Sequence, residues 1–145
     1  RKVALQRVRK LAEATALDAG TLAEDPAFKR QLEEAEVQLE AIQYTEFRLM
    51  ASLSKGQNPG PESSVMKALS AKMQQQISEL AVIATGHYAG VHQPAARTVG
   101  SNAAMIGPDA GAMAFTNYFN FRASSIAGGS DEVQRNIMAK LVLGL

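Results

Sequence analysis

Apolar residues recur every three or four positions along most of this chain, the spacing that places them on one face of an amphipathic helix. We predict a first helix from about Lys2 to about Leu17. A second helix is predicted from Pro26 to about Ser54, because Asp25 can cap it and proline at the first helical position loses no needed hydrogen bond. The apolar stripe of the second helix comprises Phe28, Leu32, Ala35, Leu39, Ile42, Leu49 and Leu53.

Two further helices are predicted in the middle of the chain. The third runs from about Glu62 to Thr85, and the fourth from about Asp109 to Ser125. Glycines and prolines at 56–61 separate the second helix from the third. Residues 87–108 show no sustained period, and an irregular connection of this length is typically functional or mobile. Because no alternating pattern indicates a strand, we expect an all-α fold, an antiparallel up-and-down four-helix bundle with a short extra C-terminal helix.

A diglycine turn precedes that extra helix. Gly128 and Gly129 can adopt positive φ without a Cβ clash, and Ser130 is placed to cap the helix that follows. Asp131 and Glu132 fill its first turn, followed by the apolar stripe Val133, Ile137 and Leu141. Free backbone N–H groups at such a helix start suit an anion or the polar edge of a cofactor. The alternative is a turn that only reverses the chain.

Composition narrows the range of functions. The chain has 145 residues, enough for one domain with a proper core. Its net charge of +1 gives no indication of nucleic-acid binding, and no apolar run approaches the ~20 residues of a membrane span. It has no cysteine, which fits a reducing compartment, and we expect a cytoplasmic location. The first helix has no start signal before it, so we expect residues 1–145 to be a piece of a longer protein.

Other candidate chemistry receives little support from the sequence. Glu33, Glu36 and Glu40 share a helical face, but a di-metal site would need histidines on facing helices, and His87 and His92 lie outside the long helices. We therefore predict a solvated acidic face. Nucleophilic hydrolysis lacks support as well, because no His–Asp set accompanies the serines at 124 and 125.

Two groups of residues remain open to interpretation. His87, His92 and Arg97 in the irregular segment are candidates to contact an anionic ligand such as a pyrophosphate. Aromatic residues cluster in the second helix and in the fourth, and we predict that they belong to the core, with an acyl or flavin pocket as the alternative. These residues are Tyr44, Phe47, Phe115, Tyr118, Phe119 and Phe121.

The ordered string at the C-terminus is more specific than any of these features. Residues 126–137 read Ile-Ala-Gly-Gly-Ser-Asp-Glu-Val-Gln-Arg-Asn-Ile, and residues 141–145 read Leu-Val-Leu-Gly-Leu. This string resembles the C-terminal signature of the acyl-CoA dehydrogenase family. Residues 25–42 are similar to the long second helix of that family's C-terminal domain, and residues 60–70 to the start of its third helix. The segment 87–111 matches poorly.

The resemblance implies that residues 1–145 are the C-terminal helical bundle of a three-domain enzyme. The family removes the α-hydrogen of an acyl-CoA as a proton while a hydride passes from the β-carbon to FAD. It therefore implies an acyl-CoA substrate, an electron-transfer acceptor protein, and a homo- or hetero-oligomer, either a dimer or a tetramer. It also implies that the bundle alone is inactive.

The resemblance assigns roles to individual residues. Many members have their catalytic glutamate at the position of Gly128, which has no side chain to accept a proton. The backbone N–H of this residue binds the thioester carbonyl in the family, and Gly128 retains that group. Contacts to FAD are implied for Gly129, Ser130, Asp131 and Glu132, with Ser130 standing where the family has threonine.

Departures from the family pattern leave the catalytic base and the role of the chain open. The Arg-x-x-Phe-Gly run expected between the first two helices is missing from residues 17–25, and Ala-Thr-Gly-His-Tyr at 84–88 replaces a Gln-x-x-Gly-Gly run. The base then lies on residues preceding Arg1, lies on a partner subunit, or is absent. Three hypotheses follow: an acyl-CoA dehydrogenase, a non-catalytic structural subunit of a heteromeric one, and an unrelated helical interaction module.

Overall fold

The computed structural model describes residues 1–58 and 60–145. The fold is all-α, as predicted. No strand occurs among the described residues, where the only extended pairing is an isolated bridge between Ala16 and Thr21. Five α-helices form the domain: α1 (Lys2–Ala14), α2 (Pro26–Ser54), α3 (Glu62–Thr85), α4 (Ala114–Arg122) and α5 (Asp131–Met138).

The two long helices have the predicted bounds. Asp25 caps α2, since its carboxylate accepts a hydrogen bond from the N–H of Phe28 over 2.8 Å, and Pro26 occupies the first turn. Helix α3 ends where Gly86 adopts a φ of 61°. Pro59, in the predicted break at 56–61, lies outside the described residues.

Helix α1 is shorter than predicted, because tertiary contacts replace its last turn. It ends at Ala14 rather than Leu17. The hydroxyl of Thr15 donates to the carbonyl of Ala84 on α3 over 2.9 Å, and the N–H of Leu22 donates to the carbonyl of Thr15 over 2.9 Å. The chain thereby turns back before the next helical turn can form.

The predicted fourth helix is also divided. A 3₁₀ turn at Asp109–Gly111 precedes α4, and a second one at Ala123–Ser125 follows it. A side chain at Gly111 would clash with Thr85, since an added Cβ would lie 2.4 Å from its methyl group. This close approach lets the start of the segment pack on the end of α3.

The segment 87–108 is irregular as predicted, apart from short 3₁₀ turns. Within it, the side-chain amide of Gln93 pairs with the backbone of Ile106 through two hydrogen bonds.

Helix α3 lies at the centre and contacts α1, α2, α4 and α5. The core forms where α1, the first half of α2 and the second half of α3 meet, and an ion pair between Arg9 and Glu36 joins α1 to α2 outside it. This pair raises the pKa of the Arg9 guanidinium, because the Glu36 carboxylate accepts its hydrogen bond. The buried core comprises Leu5, Val8, Leu11, Ala12, Phe28, Leu32, Ala35, Leu39, Ile42, Met73, Ile77, Leu80 and Ala84.

The prediction that the aromatic residues belong to the core is wrong for four of the six. Tyr44 and Phe47 are 67% and 54% exposed, because they lie away from the buried line of α2. On the short helix α4, Phe115 and Phe119 are exposed and contact each other edge to face with ring centroids 4.8 Å apart. Only Tyr118 and Phe121 are half-buried. Among the described residues, none of the helices combines the length and the apolar composition that a membrane span requires.

Candidate functional site

The turn between α4 and α5 has the backbone geometry that the sequence predicts. Gly128 and Gly129 have φ values of 68° and 89°, in the left-handed region that favours glycine. The two positions differ in their surroundings. A Cβ on Gly128 would meet nothing within 4 Å, whereas a Cβ on Gly129 would lie 2.7 Å from the amide nitrogen of Gln134. The space beside Gly128 is therefore open, and the space beside Gly129 is filled.

Ser130 caps α5, as predicted. Its backbone is extended, and its hydroxyl oxygen accepts a hydrogen bond from the N–H of Val133 over 3.4 Å. Asp131 and Glu132 occupy the first turn of the helix, where carboxylates are favoured by the helix dipole.

A row of backbone N–H groups at this turn has no acceptor in the described part of the chain. The preceding N–H groups of Ile126 and Ala127 both donate to the carbonyl of Ala123. Over the described ranges, the N–H groups of Gly128, Gly129 and Ser130 meet no acceptor of the protein, and both glycines are exposed. Unpaired amides at a helix start form a site for an anion or for a polar acceptor atom.

The carboxylates of the first turn are held by the protein itself. Asp131 accepts a hydrogen bond from the ammonium of Lys67 over 3.1 Å, and both side chains are largely buried. Lys67 also donates to the carbonyl of Ser125 over 3.3 Å. The pKa of Glu132 lies below its ordinary value, because the carboxylate accepts a hydrogen bond from its own N–H and interacts with Ser130.

The end of α4 is fixed to α3 by polar side chains. The guanidinium of Arg122 donates to Glu79 over 2.7 Å and to the carbonyl of Gln75 over 3.1 Å, and it stacks 4.4 Å from the ring centre of Tyr118. The amide of Gln75 donates in turn to the carbonyl of Phe121 over 3.2 Å. Helix α3 therefore holds the peptide segment on both sides of the turn.

The sequence predicted that the residues of the turn act together, but it did not predict the residues that anchor the turn. Residues 128–132 form one continuous stretch of backbone, as expected. His87, His92 and Arg97 are exposed, and within the described part of the chain no hydrogen bond joins them to the turn. The anchoring residues Lys67 and Gln75 were missed, since nothing in the sequence links them to a turn more than 50 residues away.

The apolar stripe of α5 does not pack on the bundle. Val133 is 48% exposed and Ile137 is exposed, whereas Gln134 is buried against the turn. Leu141, in the π-helical turn Ala139–Leu143 that follows α5, is exposed as well. The helix thus directs a polar side chain inward and leaves an apolar face uncovered.

Beside the turn, a shallow depression is lined by Arg1, Lys67, Ser124 and Ala127. Among the described residues no cluster of histidine and acidic side chains suited to a metal ion occurs.

Comparison with protein families gives one match that covers nearly the whole chain. Residues 2–143 match the family model described as Acyl-CoA dehydrogenase, C-terminal domain. No curated protein sequence matches the chain.

Three solved structures have a fold similar to that of this chain, and two of them are described as an FAD complex or a flavoprotein. An FAD complex of PigA superposes with a TM-score of 0.75 at 18% identity, covering 98% of this chain and 32% of that one. The ChsE4–ChsE5 complex from Mycobacterium tuberculosis gives a TM-score of 0.76 at 23% identity, covering 99% and 35%. An electron transferring flavoprotein of Acidaminococcus fermentans gives 0.73 at 15% identity, covering 98% and 33%. The chain therefore spans about a third of the length of these proteins.

Proposed function

The chain belongs to the acyl-CoA dehydrogenase C-terminal domain family, and from this premise we propose that it forms part of the FAD and substrate site of a flavin-dependent acyl-CoA dehydrogenase. The proposed reaction is the α,β-dehydrogenation of an acyl-CoA thioester. One observation carries the proposal. The family's C-terminal signature coincides with the row of N–H groups at Gly128, Gly129 and Ser130, which have no acceptor in the described part of the chain.

The residues at the turn fit a flavin cofactor through their backbone. Gly129 and Ser130 offer N–H groups, and the hydroxyl of Ser130 adds a further polar contact. Asp131 would contact FAD through its backbone N–H group, because its carboxylate is paired with Lys67. The N–H of Glu132 already donates to its own carboxylate, so Glu132 would contact the adenosine part of FAD through that carboxylate. FAD, when bound, supplies the acceptor for the hydride.

Gly128 would act through its backbone on the substrate. Its N–H has no acceptor among the described residues, and Gly128 is exposed. A hydrogen bond from this group to the thioester carbonyl would stabilise the negative charge that develops when the α-proton leaves. The proton itself must go to a base outside this position, because glycine has no side chain. We propose that this base is supplied by another part of the protein or by a partner subunit.

The protein is also proposed to work in an assembly. We propose an oligomer, as a dimer or tetramer of like or unlike chains, an electron-transfer acceptor protein, and a cytoplasmic location. The ChsE4–ChsE5 complex supports the idea of unlike chains, because its fold matches this chain at a TM-score of 0.76.

A second candidate is a non-catalytic subunit that completes the site of an active homologue. The residue that favours it is Gly128, which stands where many family members have their base. Gly128→Glu tests this candidate, since an added side chain has room there. If the unmodified protein is inactive and the Gly128→Glu protein dehydrogenates the acyl-CoA, the result supports a non-catalytic subunit that lacks only its base. Activity of the unmodified homomer excludes it.

The flavin proposal is tested by FAD titration and by an assay with an acyl-CoA and an artificial electron acceptor. We expect bound FAD, and an affinity about five- to tenfold lower in Ser130→Ala, which loses one hydrogen-bonding group. Ser101→Ala is the matched control, because Ser101 is exposed and also accepts a hydrogen bond from a nearby backbone N–H, that of Ala103. A protein that stays colourless and inert with added FAD and partner would contradict the proposal.

A further inference from the structure

A cleft of about 460 Å³ runs between α1 and α4, with α3 as its floor. Helix α3 contacts both neighbours, whereas α1 and α4 make little contact with each other in the part of the chain that the structure describes. Small side chains on all three sides leave this gap open. They are Ala4, Ala81, Ala110 and Ala114. A cleft of this volume is large enough for a small organic molecule.

The inner surface of the cleft is apolar. Val8 and Leu11 of α1 and Ile77 of α3 line it and are buried. On the α4 side it is lined by Met113, which is 42% exposed, and by Phe121, which is half-buried. Apolar walls with a few polar groups are the usual composition of a small-molecule site.

Two polar side chains line the cleft without a partner inside the protein. Arg7 lies on α1, and Asn117 lies on α4 and is half-buried. Over the described ranges no ion pair engages Arg7, and neither side chain forms a hydrogen bond. A guanidinium and an amide NH₂ group together offer the donors that a carboxylate accepts.

Arg7 and Asn117 lie along the same middle part of the cleft. The hydroxyl of Thr15 donates to the end of α3, and Gly111 packs against Thr85 at the same end. Arg7 precedes Thr15 by eight residues and Asn117 follows Gly111 by six, which places them about 12 Å and about 9 Å from that end at the helical rise of about 1.5 Å per residue. One ligand group can therefore contact both side chains.

The charges around the cleft favour an anion at this position. Helix α1 carries more basic than acidic residues, and the sequence of α4 contains no acid. On α3, Glu79 is already paired with Arg122. Asp109 is the only acid among the described residues that line the cleft, and it precedes Asn117 by eight residues. Repulsion by Asp109 therefore directs an anionic group toward Arg7.

We propose that the cleft between α1 and α4 binds an organic monocarboxylate with an aliphatic body. Its carboxylate pairs with Arg7 and Asn117, and its hydrocarbon part covers the apolar floor. One arginine suits a planar carboxylate, because the guanidinium can donate two parallel hydrogen bonds to it.

This site is separate from the proposed flavin site. The turn at Gly128 is anchored by Lys67 near the start of α3, whereas the cleft extends to the other end of α3. A protein that binds the carboxylate but no FAD would contradict only the flavin proposal. A protein that binds FAD but no carboxylate would contradict only the present one.

Isothermal titration calorimetry of the complete protein with sodium decanoate tests the charge assignment. We expect saturable binding, about tenfold tighter than that of decylammonium, which has the same chain and the opposite charge. Arg7→Gln should weaken decanoate binding about tenfold. Lys10→Gln is the matched control, because Lys10 is an exposed cation of α1 outside the cleft, and it should change the affinity less than about twofold. Equal affinities for the two ions, or equal effects of the two variants, would overturn the proposal.

Filling the cleft tests where the ligand lies. Ala4→Phe adds a ring in the cleft and removes no core contact, because Ala4 is exposed. It should weaken decanoate binding about tenfold or more. Ala14→Phe, at an exposed position of α1 outside the cleft, should leave the affinity unchanged. Thermal unfolding shows that both variants fold. Decanoate binding that is unchanged in Ala4→Phe would place the ligand elsewhere and overturn the proposal.

Discussion

The side-chain amide of Gln134 donates a hydrogen bond to the carbonyl oxygen of Gly128 over 3.1 Å. Carbonyl and N–H groups of one trans peptide point in opposite directions, and the described chain contains no cis peptide. Holding the Gly128 carbonyl against buried Gln134 therefore turns the N–H of Gly129 away from α5. One polar contact thus fixes the orientation of an amide that we assign to the cofactor.

Removing this contact should release the turn. Gln134→Ala leaves the Gly128 carbonyl without its partner and should lower the free energy of unfolding by about 1 kcal/mol. It should also weaken FAD binding, since the Gly129 peptide is then free to rotate. Urea denaturation and FAD titration measure the two effects. Gln38→Ala, at an exposed position of α2, is the control and should change neither. An unchanged stability of Gln134→Ala would contradict the assigned role.

The contact between Lys67 and Asp131 should contribute more than a surface ion pair. Asp131→Asn should cost about 1–2 kcal/mol, because both charges are largely buried and joined by a 3.1 Å hydrogen bond. The control is Glu33→Gln, whose partner Lys29 lies 4.0 Å away with both side chains more than half exposed. That change should cost less than about 0.5 kcal/mol. Equal costs in chemical denaturation would show that burial does not strengthen the first pair.

The two glycines of the turn should differ in their tolerance of a side chain. Gly128→Ala should cost about 1–2 kcal/mol, the usual penalty for a left-handed conformation in a residue with a Cβ. Gly129→Ala should cost more, because its Cβ would also press on the amide of Gln134 at 2.7 Å. Thermal unfolding of the two variants side by side measures the difference. A reversed order would mean that Gln134 moves aside freely.

The start of α5 should weaken in acid through Glu132. Its pKa is lowered in the folded protein, chiefly by the hydrogen bond from its own N–H and then by Ser130. A lowered folded-state pKa stabilises the fold above the ordinary carboxyl pKa of about 4.3, and that stabilisation is lost as the pH falls through the lowered value. In an NMR titration Ser130→Ala should raise the pKa of Glu132 toward its ordinary range. Ser101→Ala should leave it unchanged.

The long helices were predictable because their ends carry local signals. Asp25 and Pro26 begin α2, and Gly86 with positive φ ends α3, each through interactions within a few residues. The end of α1 was not predictable in this way. It depends on a hydrogen bond between Thr15 and Ala84, which are 69 residues apart.

Burial was harder to predict than helix bounds. Periodicity placed Leu53 and Val133 on apolar stripes, but both are exposed, because a stripe shows which face is apolar and not whether another element covers it. The same limit explains the aromatic residues of α2. Their exposure follows from their position relative to α1 and α3, which a single helical pattern does not contain.

The candidate site was predictable where it is local. The positive φ values of Gly128 and Gly129 and the cap at Ser130 follow from residue type and order alone. The orientation of the turn depends on Gln134, which lies four residues after Ser130 and within reach of sequence reasoning. Its connection to the bundle depends on Lys67 and Gln75, which no local pattern links to it.

Lys67, Gln75 and Glu79 all lie on α3, and together they hold the two ends of the α4–α5 connection. A rotation of α3 about its own axis would therefore carry the whole connection with it, while the turn itself kept its shape. Substitutions deep in α3 should then alter the direction of the turn without touching any residue in it. We therefore expect substitutions along α3, as well as at the two glycines, to change the affinity for the ligand.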